Sequence, residues 1–575
     1  MFKIDTLHKP FLFFIILNFY YFSIAQVFPD KHYPKGYFIY PVIAKVGLVA
    51  NFGELRPNHY HMGLDCRTDQ AVNHRVVAAA DGYVAHVRIE PLGFGRAIYI
   101  NHPNGLTTLY GHLNDFYPAL EQYVKEQQYK LESWKVFLDI PMGMFPVKQG
   151  EFIAFSGSTG GSQGPHVHFE IRDTQSDKVL NPLLFGMPIP DNVPPSIYRL
   201  AVYDRTISTY SQTPKLYPVI FSNGAYTTVS KLILIHTDKI SFGISAVDRS
   251  NGSANPNGIF QAILYVDEKA VCGFQLDNIT YDETRYENAH IDYKLRAAGG
   301  PFVEHLSRLP GYPPGVYNDI SGDGVLDLND STHQVRIEVK DVNGNTSQLK
   351  FLVKKVDNPF RSHIERPENA QEFVPGFINV FEKNDVMVVL GEHDLYDSIN
   401  FDYSKKPSPD PMALSEMHTI HTALVPVQGY YIIRLKANKS IPEGRDSNII
   451  MQRMWAGKKE VARVKREGEW FVARFREFGI FQLLLDTEPP KISGISDHAN
   501  LKKSSAIIIN VTDNNKTISN FRAELNNKWI RFTNDKGGAF IYKFDEKCAS
   551  GENELKILVA DEAGNVLEKT YHFTR

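Results

Sequence analysis

Two histidines one residue apart open the apolar stretch GPHVHFEIR, residues 164–172. On a β-strand alternate side chains share a face, so His166 and His168 look into one space while Val167 and Phe169 look into the other. Such a pair is either a set of satisfied polar groups on a sheet or part of a site, and the other histidines must decide. Upstream, NHYHMGLD at residues 58–65 places His61 four residues before Asp65. Extended, that spacing would separate them by roughly 13 Å, at about 3.3 Å per residue, too far to share an ion. The chain must therefore bend, and Gly63 permits a bend at least steric cost. A histidine and a carboxylate from one tight segment, joined by a third ligand from a distant strand, form a three-ligand zinc site with an open position for water. That is the catalytic pattern, since a closed structural site would want a fourth protein ligand, usually cysteine. A second His-x-His pair, His59 and His61, and the histidine of TLYGHLN, His112, complete the cluster of candidates.

Taken in order, His61-x-x-x-Asp65, Tyr110-Gly111-His112-Leu113 and the run from Gly164 to Glu170 resemble the three signatures of the lysostaphin-type zinc metallopeptidases, which cleave peptide crosslinks of bacterial peptidoglycan. Each motif alone is weak, and the resemblance, covering residues 37–185, rests on all three. It implies that His61, Asp65 and His168 bind Zn2+ and that His112 and His166 assist the chemistry. Zinc lowers the pKa of a bound water to about 7 and polarises the scissile carbonyl. Imidazoles beside it can take the water proton, steady the developing charge and protonate the leaving amine, and the residues do not divide these tasks between His112 and His166. The expected activity is that of a zinc endopeptidase acting on bacterial peptidoglycan. The rival reading is a catalytically silent regulator, a wall-binding activator of other peptidoglycan hydrolases, because relatives exist that have lost ligands. Here all five residues are present.

Other candidates carry less. His59 could stand behind His61, although a fourth ligand would close the site. His74 and His102 sit in turn-like contexts that suit structural or surface roles, and His418 and His421 lack the glutamate of an HExxH helix. Residues 319–330, DISGDGVLDLND, match several oxygen-ligand positions of a calcium loop, but a proline-rich stretch and a strand flank them instead of helices, so a solvated acidic turn is expected.

These residues need a scaffold, and the chain around them reads as β. Residues 37–185 alternate apolar and polar positions between Asp-Gly and Asn-Gly turns, the pattern of an antiparallel β domain. Leu120, Tyr123, Val124, Leu131 and Trp134 recur at helical spacing within residues 115–146, predicting an inserted amphipathic helix that emerges at the rim of the site and gates it. Downstream, two segments resemble each other: each follows a Pro-Pro pair and closes on an Asp-x-x-Gly-Asn hairpin, Asp341 to Asn345 and Asp561 to Asn565. Duplicated immunoglobulin-like β-sandwiches fit this pattern. The expected division is a signal peptide at 1–25, a zinc metallopeptidase domain at 26–190, an immunoglobulin-like domain at 191–356, a β-rich domain of unknown fold at 357–487 and an immunoglobulin-like domain at 488–575.

Composition bounds the partners. With 62 Lys+Arg against 65 Asp+Glu the formal charge is −3, which gives no electrostatic reason to expect nucleic acid. The apolar run at residues 11–22, followed by Ser23-Ile24-Ala25, reads as a secretory signal cut after Ala25, leaving no transmembrane span. Export to the periplasm or cell envelope follows, with the β-rich tail expected to bind wall or envelope proteins. Three scattered cysteines, Cys66, Cys272 and Cys548, form neither a disulfide framework nor a thiolate metal site.

Overall fold

A computed structural model describes residues 27–29, 31–313, 315–357 and 371–575. The expected signal peptide, residues 1–25, lies outside them. The chain is mainly β, 48 % strand against 7 % helix, as the alternating pattern requires.

The sheet that carries the histidines is built from β1 (Leu48–Ala50), β2 (Leu64–Arg67), β3 (Gly82–Ile89), β4 (Arg96–Asn101), β5 (Leu106–Gly111), β6 (Val136–Asp139) and β7 (His166–Asp173), in the spatial order β1-β2-β7-β5-β4-β3-β6. Every pairing along this path is antiparallel. Strand β7 shows why the sequence alternates. Val167, Phe169 and Ile171 are fully buried in the apolar core, so His166, His168, Glu170 and Arg172 must share the opposite face. Register does the rest, since His168 stands opposite Asp65 of β2 on one side and Gly111 of β5 on the other. Two motifs about a hundred residues apart thereby become neighbours.

The expected insert contains helix α1 (Pro118–Leu131). Its buried face is Leu120, Val124 and Gln128, whereas Leu131 is 57 % exposed. Trp134 is buried but lies beyond the left-handed stop at Glu132, and its carbonyl accepts a hydrogen bond from the Gln128 amide. The periodicity thus located the helix and overran its end. Its outer side packs on the C-terminal region: the Tyr129 and Trp529 rings meet edge to face at 5.3 Å, the Tyr129 hydroxyl donates to Asp545 at 2.9 Å, and Arg531 donates to Gln128 at 2.9 Å.

Beyond the first sheet, residues 196–355 contribute one eleven-stranded sheet, antiparallel except where Ala225–Ile235 runs parallel to Thr346–Lys355. Val179–Leu180 pairs with Asn278–Ile279, so the first sheet is extended by a strand from this next region. Residues 379–485 form two five-stranded sheets, and residues 491–574 a three-stranded and a five-stranded one. One continuous buried cluster runs from Phe38 to Leu483, while a second, from Ile507 to Phe573, belongs to the C-terminal region alone. No helix among the described residues is long and apolar enough to cross a membrane.

Candidate active site

Asp65 Oδ1 lies 2.9 Å from His61 Nε2 and 3.1 Å from His168 Nδ1, and those two nitrogens are 3.1 Å apart. All three side chains are buried. The bend that brings His61 back to Asp65 occurs where expected, but Gly63 is needed for a different reason from the one its backbone freedom suggests. A Cβ there would stand 2.5 Å from the Phe169 carbonyl oxygen and 2.9 Å from the His168 ring. Glycine at this position makes room for the third side chain of the cluster.

Around this trio the other imidazoles close in. The His112 ring is 4.8 Å from that of His166 and 6.0 Å from that of His168, and His166 Nε2 approaches Asp65 Oδ1 at 3.4 Å. His112 follows β5 in the left-handed region, φ 59°, which turns its ring into the site rather than along the sheet. All five residues singled out from the sequence are therefore together. His59 is exposed and its Nδ1 turns to the Pro57 carbonyl, which leaves it outside the cluster.

Each imidazole is held through its far nitrogen. His61 Nδ1 donates to the Asn51 carbonyl at 2.7 Å, His168 Nε2 to Glu170 at 2.9 Å, His112 Nδ1 to the Thr159 carbonyl at 2.9 Å and His166 Nδ1 to the Gly164 carbonyl at 2.9 Å. These acceptors assign the tautomers, so His61 Nε2, His168 Nδ1 and the Nε2 atoms of His112 and His166 present lone pairs to the shared space. Two neutral nitrogens and one carboxylate, each backed by an acceptor or a charge, are the donor set that suits zinc with one position left open. The residues fit the ion.

Electrostatics points the same way. Burial alone would raise the Asp65 carboxyl, but once the facing imidazoles carry protons the His61 charge and hydrogen bonds from His166, His168 and His61 hold it well below the usual carboxylate range. Burial would lower His168, yet hydrogen bonds and charge from Asp65 and Glu170 raise it to about 9. A pocket that draws a proton so strongly onto His168 also favours a cation there. Burial and then the neighbouring His166 and His168 push His112 down to about 3, keeping it neutral.

Residues to which the sequence assigned no role complete the site. Glu170 is fully buried and is pinned by His168, by Arg172, whose Nε donates at 2.7 Å, and by the hydroxyl of Tyr281. Burial would raise its carboxyl, but Arg172, His168 and Tyr281 bring it down to about 2. Glu170 and Arg172 were legible, since they continue the His166 and His168 face at period two. Arg56, 3.4 Å from Asp65 Oδ2, and Tyr281, from far downstream, left no local signal. His102 serves structure, bonding the Asp81 carbonyl and Thr108, and His418 and His421 join no metal-binding cluster among the described residues. In the 319–330 loop the carboxylates diverge: Asp319 pairs with Arg308, Asp327 with Lys239 and Asp330 with Lys355.

The cluster lies in a groove of ≈ 1340 Å³ whose walls include Arg56, Phe94 and Tyr281, and the loop from Gly252 to Asn255. No residue of the 115–146 insert lines it. The insert is a bracket between the first sheet and the C-terminal region, and the expected gate is replaced by a loop of the following region.

The family model described as peptidase family M23 matches residues 59–129, which hold His61, Asp65 and His112. The chain contains an M23 peptidase domain. The match ends before His166 and His168, which β7 delivers by register. The M23 domain is 33 % identical over 131 residues to the DD-carboxypeptidase/endopeptidase Mpg of Neisseria meningitidis serogroup B, covering 23 % of this chain and 24 % of that protein. It is 28 % identical over 138 residues to the cell division protein DipM of Caulobacter vibrioides, covering 24 % and 18 %. The chain thus spans about a quarter or less of the length of these relatives. Among solved structures, the catalytic domain of lysostaphin from Staphylococcus simulans is similar at 22 % identity, covering 24 % of this chain and 87 % of that one, with a TM-score of 0.18. Residues 374–486, within the β-rich segment of unknown fold, match the model described as a Zu5-like domain.

Proposed function

We propose that this chain is a secreted zinc-dependent endopeptidase that hydrolyses peptide crosslinks or stem peptides of bacterial peptidoglycan in the periplasm or cell envelope. The observation that carries the reading is the meeting of His61, Asp65 and His168 with two further imidazoles in one open groove. The name of the Neisseria relative, a DD-carboxypeptidase/endopeptidase, supports a peptide substrate. In this reading residues 26–190 are the catalytic unit, 191–356 and 488–575 are immunoglobulin-like units flanking a third β unit, and the tail engages wall or envelope proteins.

His61, Asp65 and His168 would hold the zinc ion, which supplies an activated water and polarises the scissile carbonyl. The chain's own groups do the rest. Asn51 and Glu170 fix the ligand rings so that both lone pairs point inward. His112 and His166, each with Nδ1 committed to a carbonyl, present Nε2 to the reacting atoms. Either can take the proton of the attacking water, steady the oxyanion once charged and return the proton to the leaving amine.

Digestion of purified peptidoglycan with and without a chelator, followed by mass spectrometry of the products, tests the proposal. Chelator-sensitive release of fragments cut at a peptide bond is expected. Intact peptides under every zinc condition would sink the enzyme reading in favour of a regulator.

A further inference from the structure

The two similar segments carry three aspartates at matching places. DNVPPSI begins at Asp191 and DTEPPKI at Asp486; Asp248 and Asp513 each directly follow a strand; Asp341 and Asp561 open the Asp-x-x-Gly-Asn hairpins. The hairpins are built alike. The Asn345 and Asn565 backbone amides donate to Asp341 and Asp561 at 2.8 Å in both copies, and their side-chain amides reach back to the carbonyls of Asp191 at 3.3 Å and Asp486 at 3.0 Å.

The copies differ in what neutralises the acids. In the second, the Asn514 and Asn515 side-chain amides donate to Asp486 at 3.0 and 2.6 Å. In the first, the residues after Asp248 are Arg249 and Ser250, and the Arg249 guanidinium donates to the Tyr198 hydroxyl. Asp191, Asp248 and Asp341 each bring a carboxylate oxygen within 4.8 Å of the others, with Asp248 and Asp341 buried. Burial, followed by the charges of Asp191 and Asp341, pushes Asp248 up to about 7.

A second observation points to a ligand. Asp248 and Asn257 are both 5 % exposed, and Asp248 Oδ1 and Asn257 Oδ1 are buried without a hydrogen-bond partner among the described residues. The two residues form an antiparallel bridge, exchanging backbone hydrogen bonds at 3.0 and 2.9 Å, so their side chains leave the ladder on the same face. Buried oxygens left without donors are costly. Three carboxylates and an amide oxygen, with no nitrogen or sulfur donor, form the hard, irregular oxygen set that calcium accepts.

Location gives the site a consequence. Asp248 and Asn257 are the base of the loop whose tip, Gly252 to Asn255, walls the catalytic groove. The next residue, Gly258, exchanges hydrogen bonds with the Asn51 side chain at 2.8 and 2.9 Å, and the Asn51 carbonyl is the acceptor that fixes His61. We propose that Asp191, Asp248, Asp341 and the Asn257 side-chain oxygen bind a calcium ion that pins this loop at its base and holds one wall of the groove. The proposal stands whether or not the groove cleaves peptide, and its readouts do not use peptidase activity.

The test is calorimetric titration of the zinc-loaded full chain with calcium chloride, alongside thermal melting in calcium chloride or in magnesium chloride at the same concentration. One calcium per chain is expected, with a melting temperature raised by several degrees and a smaller rise in magnesium. Asp248→Asn should abolish the calcium shift and, by relieving repulsion among the carboxylates, melt no lower than the natural chain in calcium-free buffer. Asp513→Asn, at the matching place in the second copy, should keep the shift, and bound zinc should be unchanged throughout. Absence of binding and shift, a shift that survives Asp248→Asn, an equal response to magnesium, or an Asp248→Asn protein that melts lower without calcium would each overturn the proposal.

Discussion

Tyr281 donates its hydroxyl to Glu170, although the two residues are 111 positions apart and Tyr281 lies outside the M23 match. Glu170 in turn accepts from His168 Nε2 and pairs with Arg172. The region that follows the peptidase domain therefore reaches the far side of His168, one of the three residues proposed to hold zinc. Partners of this kind usually alter metal affinity by about 10–100-fold. Glu170→Gln should weaken zinc binding within that range, and Tyr281→Phe, which removes only the outer hydrogen bond, by less than about tenfold. Competition with a chromophoric zinc chelator measures both, and unchanged affinity in Glu170→Gln would refute the link.

The four inward-facing imidazoles should separate into two classes. His61→Ala and His168→Ala are expected to lose zinc and activity together, since each removes a donor from the trio. His112→Ala and His166→Ala should retain about one zinc per chain while activity falls by about 10²–10⁴-fold, the usual worth of acid-base assistance. Metal analysis beside muropeptide assays distinguishes the classes, and equal zinc loss in all four variants would mean the division of roles is wrong.

The insert should behave as a joint. Tyr129 meets Trp529 edge to face and bonds Asp545, whereas the Glu132 to Arg522 pair is exposed and contributes little. Tyr129→Ala is expected to cost about 1–2 kcal/mol of docking between helix α1 and the C-terminal region. Hydrogen exchange should quicken in residues 518–545 while cleavage of small soluble muropeptides stays the same. A changed preference between crosslinked wall and soluble fragments, with exchange unaltered, would restore the gate.

Acid should weaken the region that follows the peptidase domain. His305 is 1 % exposed, and burial, then the charges of Arg205 and His290, push it down to about 3. Above about pH 6.5 it is neutral folded or unfolded and adds nothing. Below that, the unfolded chain takes a proton that the native state refuses, so stability falls as pH drops toward about 3, by about 1.4 kcal/mol per unit. His305→Leu should lessen the drop in urea midpoint between pH 6.5 and 4.5 relative to the natural chain, in which all other titrating groups are common. Equal drops would show that His305 does not carry the effect.

Much of the site was legible because its chemistry is concentrated in short motifs. Period-two alternation put His166 and His168 on one face, and the same alternation, followed two steps further, would have yielded Glu170 and Arg172. The bend at Gly63 was legible too, although its cause is the ring of His168, a neighbour supplied by register between distant strands. Helix α1 announced itself by spacing, but Gln128 and Tyr129 are polar positions outside its apolar stripe, and their partners come from some four hundred positions away. Tyr281 and the 249–256 loop reached the groove by tertiary packing alone, and no local pattern encodes that.

In the proposed function a metal ion held by His61, Asp65 and His168 drives hydrolysis. Activity measured on purified peptidoglycan while zinc is returned stepwise to chelator-treated protein tests it most directly. Cleavage should rise in proportion to added zinc and level off at about one equivalent per chain, with the same titration flat in His168→Ala. Zinc that binds at one per chain in the natural protein while the wall stays uncut would contradict it.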